Sequence, residues 1–313
     1  MAPAPESSRP APGDPLGNAT LPAKSPERRR RIGRRRRASP PGSSRPGSPP
    51  TDGARLRLLT LNVAHARREA SHQALLKRPT LVENLEHIAR VFERERPDVV
   101  ALQEADGPSA WSGRFDHVAV LAELAGFEHT YRGEHNPFSR PPLDLSYGTA
   151  LLSRLPLVDP ISQAFQENWR DTKGFVTASV PLPALAGGTL DVVSIHLDFL
   201  NGDVRRRQVE QLIDRFRDRS RPLVVMGDFN CEFGERRRCF SRLAAELAVR
   251  PARQTGSPTY PSWRPLVRLD WILASEELAF VRYETLDDRV SDHLGVMAEI
   301  TAAPARGRSS RRH

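Results

Sequence analysis

From Arg55 onward, short runs of apolar residues, many of them β-branched, alternate with amphipathic stretches along the chain. Alternation of this kind is typical of an α/β domain, in which helices cover the strands of a buried sheet. The apolar runs predict strands at residues 56–63, 98–103, 147–153, 174–180, 190–196, 223–226, 269–273 and 294–300.

Two stretches have the spacing of amphipathic helices. The first is predicted to end before Pro97. Its apolar face consists of Leu81, Leu85, Ile88 and Phe92. The second covers residues 204–216, where one face is apolar and arginines occupy the other.

Polar residues with possible chemistry stand where the predicted strands end. They are Asn62, Gln103-Glu104, His196, Asp228 and Asp270. Strand ends in α/β proteins converge on one edge of a sheet and hold side chains on a rigid support. The pattern therefore predicts a single site at that edge.

The two ends of the chain differ from this body in composition. Residues 1–53 contain almost no large apolar residues and are rich in Pro, Ser, Gly, Ala and Arg. Such a segment cannot bury enough surface to offset the entropy of ordering. We predict a disordered basic arm at 1–53, a catalytic domain at 54–301 and a disordered basic tail at 302–313.

The net charge of +9 is typical of a polyanion-binding protein, but the two ends carry that charge. The arm contributes +7 and the tail +4, so residues 54–301 are left with −2. The arginine-rich ends could contact nucleic acid or an anionic membrane. The nearly neutral body says nothing about which ligand enters its site.

Cys231 and Cys239 are the only cysteines, which excludes a disulfide scaffold and a four-thiolate zinc site. Both are expected to be buried thiols. The chain has no apolar run long enough for a transmembrane segment, and its N-terminus lacks the apolar stretch of a secretory signal. We expect a monomer in the cytoplasm.

Hydrolysis of a phosphoester requires a metal near the phosphate oxygens, an activated water and protection of the leaving oxygen. Mg²⁺ prefers hard oxygen ligands, which Glu104 after the apolar run 99–102 can supply. Asn62 is a candidate as a neutral oxygen ligand or as an orienting group. A single glutamate at a strand end is more often a solvated turn residue, so this signal is weak alone.

The segment from Gly227 to Asn230 is more specific. A buried strand runs into a glycine, which permits a tight turn, and the next residues present Asp228 and Asn230 on the same side. Asp228 can accept the proton of an attacking water, and Asn230 can donate to a phosphate oxygen. The alternative is an Asx turn capped by its own side chains.

The sequence Ser291-Asp292-His293 precedes the last predicted strand. His293 can stabilise the transition state or protonate the leaving oxygen, provided that a carboxylate holds its other nitrogen. Asp270 is the candidate for that carboxylate, which leaves Asp292 free to face the metal. His196 is a candidate second imidazole for the phosphate, although a single histidine at a strand end is more often structural.

Seven motifs stand in a fixed order between residues 56 and 300. They are Leu-Thr-Leu-Asn62, Leu-Gln-Glu104, Tyr-Gly-Thr-Ala-Leu-Leu-Ser153, Ser-Ile-His196, Gly-Asp228-Phe-Asn230, Leu-Asp270-Trp-Ile and Ser-Asp292-His293. This set resembles the endonuclease/exonuclease/phosphatase superfamily, which includes deoxyribonuclease I, apurinic endonucleases, neutral sphingomyelinases and inositol-polyphosphate 5-phosphatases. The resemblance implies a four-layered α/β sandwich with two packed mixed β-sheets flanked by helices, Mg²⁺ or Mn²⁺ at Glu104, and an Asp270/His293 pair.

Two features refine the resemblance. Apurinic endonucleases usually have a tyrosine where His196 stands, which weighs against repair of abasic sites. The stretches 196–199 and 259–263 resemble those of small bacterial members similar to the sphingomyelinase-like, lipid-phosphodiesterase branch.

The expected activity is therefore metal-dependent hydrolysis of a phosphodiester, or of a phosphomonoester, in a small or lipid-linked substrate. A nuclease acting on DNA or RNA is the main alternative, since the arginines at 205–207 and 236–238 could reach phosphates. Those arginines could equally be solvated helix faces. A third possibility, an inactive binding module, is disfavoured because Glu104, Asp228, Asp292 and His293 are all present.

Overall fold

Residues 55–304 are described in this computed structural model, apart from positions 111, 134, 136–138, 141–142, 166–172, 233–237 and 254–256. The predicted arm at 1–53 and most of the predicted tail lie outside the described residues. The domain boundaries therefore stay predictions.

The described residues form fourteen strands and four α-helices. In chain order these are β1 Arg55–Asn62, α1 Arg78–Glu95, β2 Val99–Asp106, α2 His117–Ala125, β3 His129–Arg132, β4 Ser139–Arg140, β5 Leu143–Asp144, β6 Tyr147–Ser153, β7 Val158–Ala164, β8 Gly174–Pro181, β9 Thr189–His196, α3 Gly202–Phe216, β10 Leu223–Asp228, α4 Arg238–Glu246, β11 Val249–Arg250, β12 Asp270–Ser275, β13 Leu278–Thr285 and β14 Val296–Ala302. Two short 3-10 turns, Ala64–Ala66 and Gln73–Leu75, lie between β1 and α1.

The strands form two six-stranded mixed sheets and the small hairpin β4-β5. The first sheet has the order β13-β14-β1-β2-β6-β3, with β1 and β2 parallel and the other neighbours antiparallel. The second has the order β11-β12-β10-β9-β8-β7, with β9 and β10 parallel. The two mixed sheets expected from the resemblance are confirmed.

Alternate side chains of each strand point to opposite faces, and this alternation builds the layers. Leu58 of β1 packs between the sheets with Val192 and Val224 of the second sheet. Leu59 points the other way, into a cluster with α1 and α2. A third cluster joins α3 and α4 to the outer face of the second sheet. The order helix, sheet, sheet, helix confirms the four-layered sandwich.

One edge of the sandwich collects the ends of the strands that were predicted to carry the site. In the first sheet Asn62 is paired with Gln103. In the second, Asp228 is paired with both His196 and Asp270. Gly227 permits this close approach, because a Cβ there would lie 2.0 Å from the carbonyl oxygen of Ile195.

Two further expectations can be compared with the described residues. Cys231 is buried as expected, whereas the side chain of Cys239 lies outside the described residues. No helix in the described part of the chain is long and apolar enough to cross a membrane. A monomeric state and a cytoplasmic location stay predictions.

Candidate functional site

Asp228 lies at the centre of the candidate site. Its carboxylate is buried at the end of β10, and its Oδ2 accepts a hydrogen bond from Nδ2 of Asn62 at 3.1 Å. The Nε2 atoms of His196 and His293 lie 3.6 and 3.8 Å from the same oxygen. Burial raises the pKa of Asp228 to about 7, with His293 opposing the rise and Asp270 adding to it. Four residues predicted from different motifs thus meet around one oxygen atom.

His293 is held by Asp270, as the sequence predicted. Its Nδ1 lies 2.8 Å from Oδ2 of Asp270, so its Nε2 faces Asp228. Burial lowers the pKa of His293, but the charges of Asp270 and Asp228 outweigh burial and raise this pKa to about 10. The ring of Tyr260 packs on the imidazole with 4.7 Å between ring centroids. The contacts fix both the direction and the charge of this side chain.

The turn before β14 is held against the end of β1, the neighbouring strand of the first sheet. The hydroxyl of Ser291 donates to the carbonyl oxygen of Asn62 at 2.6 Å. One oxygen of Asp292 accepts a hydrogen bond from the guanidinium of Arg67. The expected role of Asp292 at the metal stays a prediction. Arg67 and Asp292 are far apart in sequence, and no local pattern indicates that they pair.

The two asparagines of the site are engaged with the protein itself. The Oδ1 of Asn62 accepts from the backbone N–H of Ala64 at 3.0 Å, while its amide nitrogen donates to Asp228. These contacts favour the orienting role for Asn62 over the ligand role. A side-chain N–H of Asn230 donates to the carbonyl oxygen of Leu197, and the backbone N–H of Asn230 donates to Oδ1 of Asp228. The Asx turn is present, and it holds Asp228 in place.

Glu104 lies in an irregular part of β2. Its φ of 51° coincides with a shift in register between Leu102 and Ala105 against β6, and such bulges redirect side chains beside functional sites. Burial raises the pKa of Glu104, but neighbouring positive charges outweigh burial and hold the pKa well below its ordinary range. The positively charged neighbours are His65, Lys173 and His293. Glu104 is therefore an ionised carboxylate in the same cleft as the histidines.

His65 contacts Glu104 and was not predicted from the sequence. Its Nε2 lies 3.3 Å from Oε2 of Glu104, and its Nδ1 lies 2.7 Å from Oδ1 of the buried Asp106. His65 belongs to a 3-10 turn in which all three residues have positive φ. Two features of the sequence could have indicated this contact. Asp106 stands two residues after Glu104, and His65 stands three residues after Asn62.

Lys173 is a second residue that the sequence interpretation missed. It is buried beside the start of β8, and its Nζ lies 3.3 Å from Nδ1 of His196. Burial and the charge of Lys173 lower the pKa of His196 well below its ordinary value. His196 is thus a neutral imidazole, with a cation on one nitrogen and Asp228 near the other. A lone lysine carries no pattern that would have identified it.

The oxygen atoms of the cleft fit a divalent cation. Within the described part of the chain, ligand atoms of Asp228, Asp270 and His293 lie within 4.8 Å of one another. Oδ1 of Asp270 is buried without a hydrogen-bond partner among the described residues, and Glu104 adds an ionised carboxylate. Carboxylate oxygens are the donors that Mg²⁺ and Mn²⁺ prefer. The donor set is therefore chemically suited to such an ion.

Two packed mixed sheets, with clustered carboxylates and imidazoles at one edge, define the deoxyribonuclease I-like class of α/β sandwiches. The chain belongs to the endonuclease/exonuclease/phosphatase family, whose model matches residues 59–293. Members of this family are divalent-metal-dependent hydrolases that act on phosphoester bonds.

Several solved structures are similar to this fold. An endonuclease/exonuclease/phosphatase from Beutenbergia cavernae is 26% identical with a TM-score of 0.65, over 80% of this chain and 72% of that one. A mannosyl-6-phosphatase of Bacteroides thetaiotaomicron is 14% identical with a TM-score of 0.60, over 79% and 99%. The catalytic domain of human Nocturnin is 21% identical with a TM-score of 0.59, over 80% and 95%. No curated protein matches the chain by sequence.

Proposed function

We propose that the protein hydrolyses a phosphodiester bond through metal-assisted attack of an activated water. The observation that carries this proposal is the Asp270-His293 pair, whose Nε2 points toward Asp228 in a buried cleft. A hydrogen-bonded carboxylate base beside a charged imidazole is what proton transfer from the attacking water and to the leaving oxygen requires. The neighbouring ionised carboxylate of Glu104 supports the same chemistry.

In this proposal Glu104 holds the metal, which is Mg²⁺ or Mn²⁺. A bound metal would neutralise the negative charge on the phosphate oxygens. Asn62 contributes to the site by holding Asp228 in place. Asp292, which is paired with Arg67, can turn an oxygen toward the metal. The Asp228-Asp270-His293 group is better regarded as catalytic, since Nδ1 of His293 is already taken by Asp270.

The remaining residues act on water and phosphate. Asp228, oriented by the amide of Asn62 and the N–H of Asn230, accepts the proton of the attacking water. His293 stabilises the negative charge of the transition state and gives its Nε2 proton to the leaving oxygen. In this proposal Nε2 of His196 and the second N–H of the Asn230 amide donate to phosphate oxygens.

A small or lipid-linked substrate is favoured over duplex DNA. The body carries −2, so it lacks the long-range field that draws a polyanion into a cleft. Arg205 donates to the carbonyl oxygen of Asp198 at 2.7 Å, and Arg206 pairs with Asp203 at 2.8 Å. Those two arginines are engaged within the protein, which supports the solvated-face interpretation. The arginine side chains at 236–238 lie outside the described residues.

The test is a substrate comparison on the full chain with Mg²⁺ or Mn²⁺ at about 0.15 M salt, where surface attraction is screened beyond about 8 Å. Substrates are bis-p-nitrophenyl phosphate, micellar sphingomyelin and phosphatidylinositol, supercoiled plasmid and RNA. We expect turnover of the small or lipid diesters, lost in Asp228→Asn and His293→Ala. Efficient plasmid or RNA cleavage that the same variants abolish would make the protein a nuclease. Hydrolysis of none of them would favour the inactive binding module.

A separate prediction concerns the role of His65 in positioning Glu104. Because His65 bridges Glu104 and Asp106, His65→Ala is expected to weaken Mn²⁺ binding about ten- to hundredfold, as loss of outer contacts to a ligating carboxylate does. Titration of Mn²⁺ followed by electron paramagnetic resonance measures this directly. His87→Ala, on α1, is the matched control and should bind normally. Unchanged Mn²⁺ affinity in folded His65→Ala would exclude the positioning role.

A further inference from the structure

Four large apolar side chains stand exposed on two loops beside the candidate site. They are Phe199, Leu200, Trp263 and Leu266, with exposed fractions of 57, 78, 48 and 64%. Single exposed apolar residues are common on protein surfaces and need no explanation. Four large apolar side chains on two loops at one edge of the sandwich do need an explanation.

Both loops attach to the backbone of the Asp228 turn. The loop that follows β9 begins with Leu197, whose N–H donates to the carbonyl oxygen of Asp228 at 3.0 Å. The loop that leads into β12 ends with Leu269, whose carbonyl oxygen accepts from the N–H of Phe229 at 2.9 Å. The loops at 197–201 and 257–269 therefore leave the same edge of the second sheet, and we call them together the apolar rim.

The apolar rim is in contact with the catalytic histidines. Nζ of Lys173 lies 5.7 Å from the ring centroid of Phe199 and 3.3 Å from Nδ1 of His196. On the other loop, Tyr260 packs against His293 and stands three residues before Trp263. The rim consequently adjoins the side chains around His196 and His293 on both loops.

The loop around Trp263 combines the side chains that favour a lipid-water interface. Residues 263–266, Trp-Arg-Pro-Leu, are all exposed. Aromatic and leucine side chains partition into the headgroup region, while an arginine between them faces anionic headgroups. Ser262 holds this loop in shape through two hydrogen bonds. Its hydroxyl donates to the carbonyl oxygen of Ser291 at 2.6 Å, and its backbone N–H donates to the carbonyl oxygen of Asp292 at 2.8 Å.

We propose that the apolar rim is a membrane-docking surface that seats the cleft on a bilayer containing anionic lipid. Charge complementarity supports this occupant, because Arg264 lies within the rim and the arm and tail add further arginines. The inference rests on the proposed function and narrows its substrate to a phosphodiester in a lipid headgroup. Hydrogen bonds to Asp198 in one loop and from Ser262 in the other hold the loop backbones, so docking costs little ordering of the protein.

The test measures sedimentation of the full chain with vesicles of phosphatidylcholine containing about 20% phosphatidylserine. Trp263→Ser/Leu266→Ser is compared with Val158→Ser/Val281→Ser, which removes exposed apolar side chains elsewhere on the two sheets. Binding is measured at about 0.15 M and 0.5 M salt, because salt suppresses attraction by the arginine arm and leaves apolar insertion. We expect the rim variant to partition about tenfold or more weakly at high salt, and the control to match the wild type.

Turnover separates docking from catalysis. The rim variant should hydrolyse bis-p-nitrophenyl phosphate at the wild-type rate and lose activity only on vesicle lipid. Equal vesicle binding by the rim variant and the wild type would overturn the proposal, and so would an equal loss on the soluble diester, which would place the rim in the catalytic cleft. A wild-type chain that binds vesicles through the rim but hydrolyses no diester would contradict the proposed function alone.

Discussion

Glu104→Gln is expected to lower turnover of bis-p-nitrophenyl phosphate about a hundredfold or more at fixed Mg²⁺. The substitution keeps the shape of the side chain and removes one negative charge from the proposed metal site. The pKa of Glu104 is held well below its ordinary range, so the wild-type side chain carries that charge under all assay conditions near neutrality. Initial rates on the small soluble diester, before and after treatment with a chelator, provide the measurement.

Glu123→Gln is the matched control, since it makes the same change on the exposed face of α2 and should leave turnover unaltered. A metal titration adds a readout independent of activity, and Mn²⁺ affinity should fall together with the rate. Near-normal activity of Glu104→Gln after removal and return of the metal would show that Glu104 does not hold it.

The sequence predicted the elements whose pattern is strong. Continuous apolar runs identified the central strands, and the regular apolar faces of α1 and α3 identified those helices. The helix α2 was missed because it is apolar almost throughout, so it shows no helical period. The strand β7 was missed because its first residues are exposed, and β13 lacks a clean alternation of buried and exposed positions. Packing against neighbours, which sequence pattern does not show, determines these elements.

The site was predictable to the extent that its residues lie at strand termini, because His196 and Asp228 end β9 and β10 and Asp270 begins the antiparallel β12. Asp228, His196 and Asp270 meet because neighbouring strands of one sheet bring their ends together. His65 and Lys173 stand outside that pattern, in a left-handed turn and beside the start of a strand, and only tertiary packing brings them to Glu104 and His196.

Substitutions in the pair formed by His293 and Asp270 are expected to have the second large effect on turnover. His293→Ala is expected to reduce kcat about a thousandfold, because stabilisation of charge and protonation of the leaving oxygen are lost together. Adding Asp270→Asn to that variant should cost little more, since residues that act as a unit lose their joint contribution once. The measurement is kcat on bis-p-nitrophenyl phosphate for the wild type, both single variants and the double variant.

Stability provides an independent signature of the same pair. His293→Ala leaves the buried carboxylate of Asp270 without its partner at 2.8 Å, and an uncompensated buried charge destabilises a fold by about 3 kcal/mol or more. Asp270→Asn removes that charge, so the double variant should recover part of the lost Tm while remaining inactive. Asp287→Asn neutralises an exposed carboxylate and is the control, so it should not raise the Tm when it is combined with His293→Ala. Additive losses of both kcat and Tm in the His293/Asp270 cycle would show that the two side chains act separately, whatever their distance.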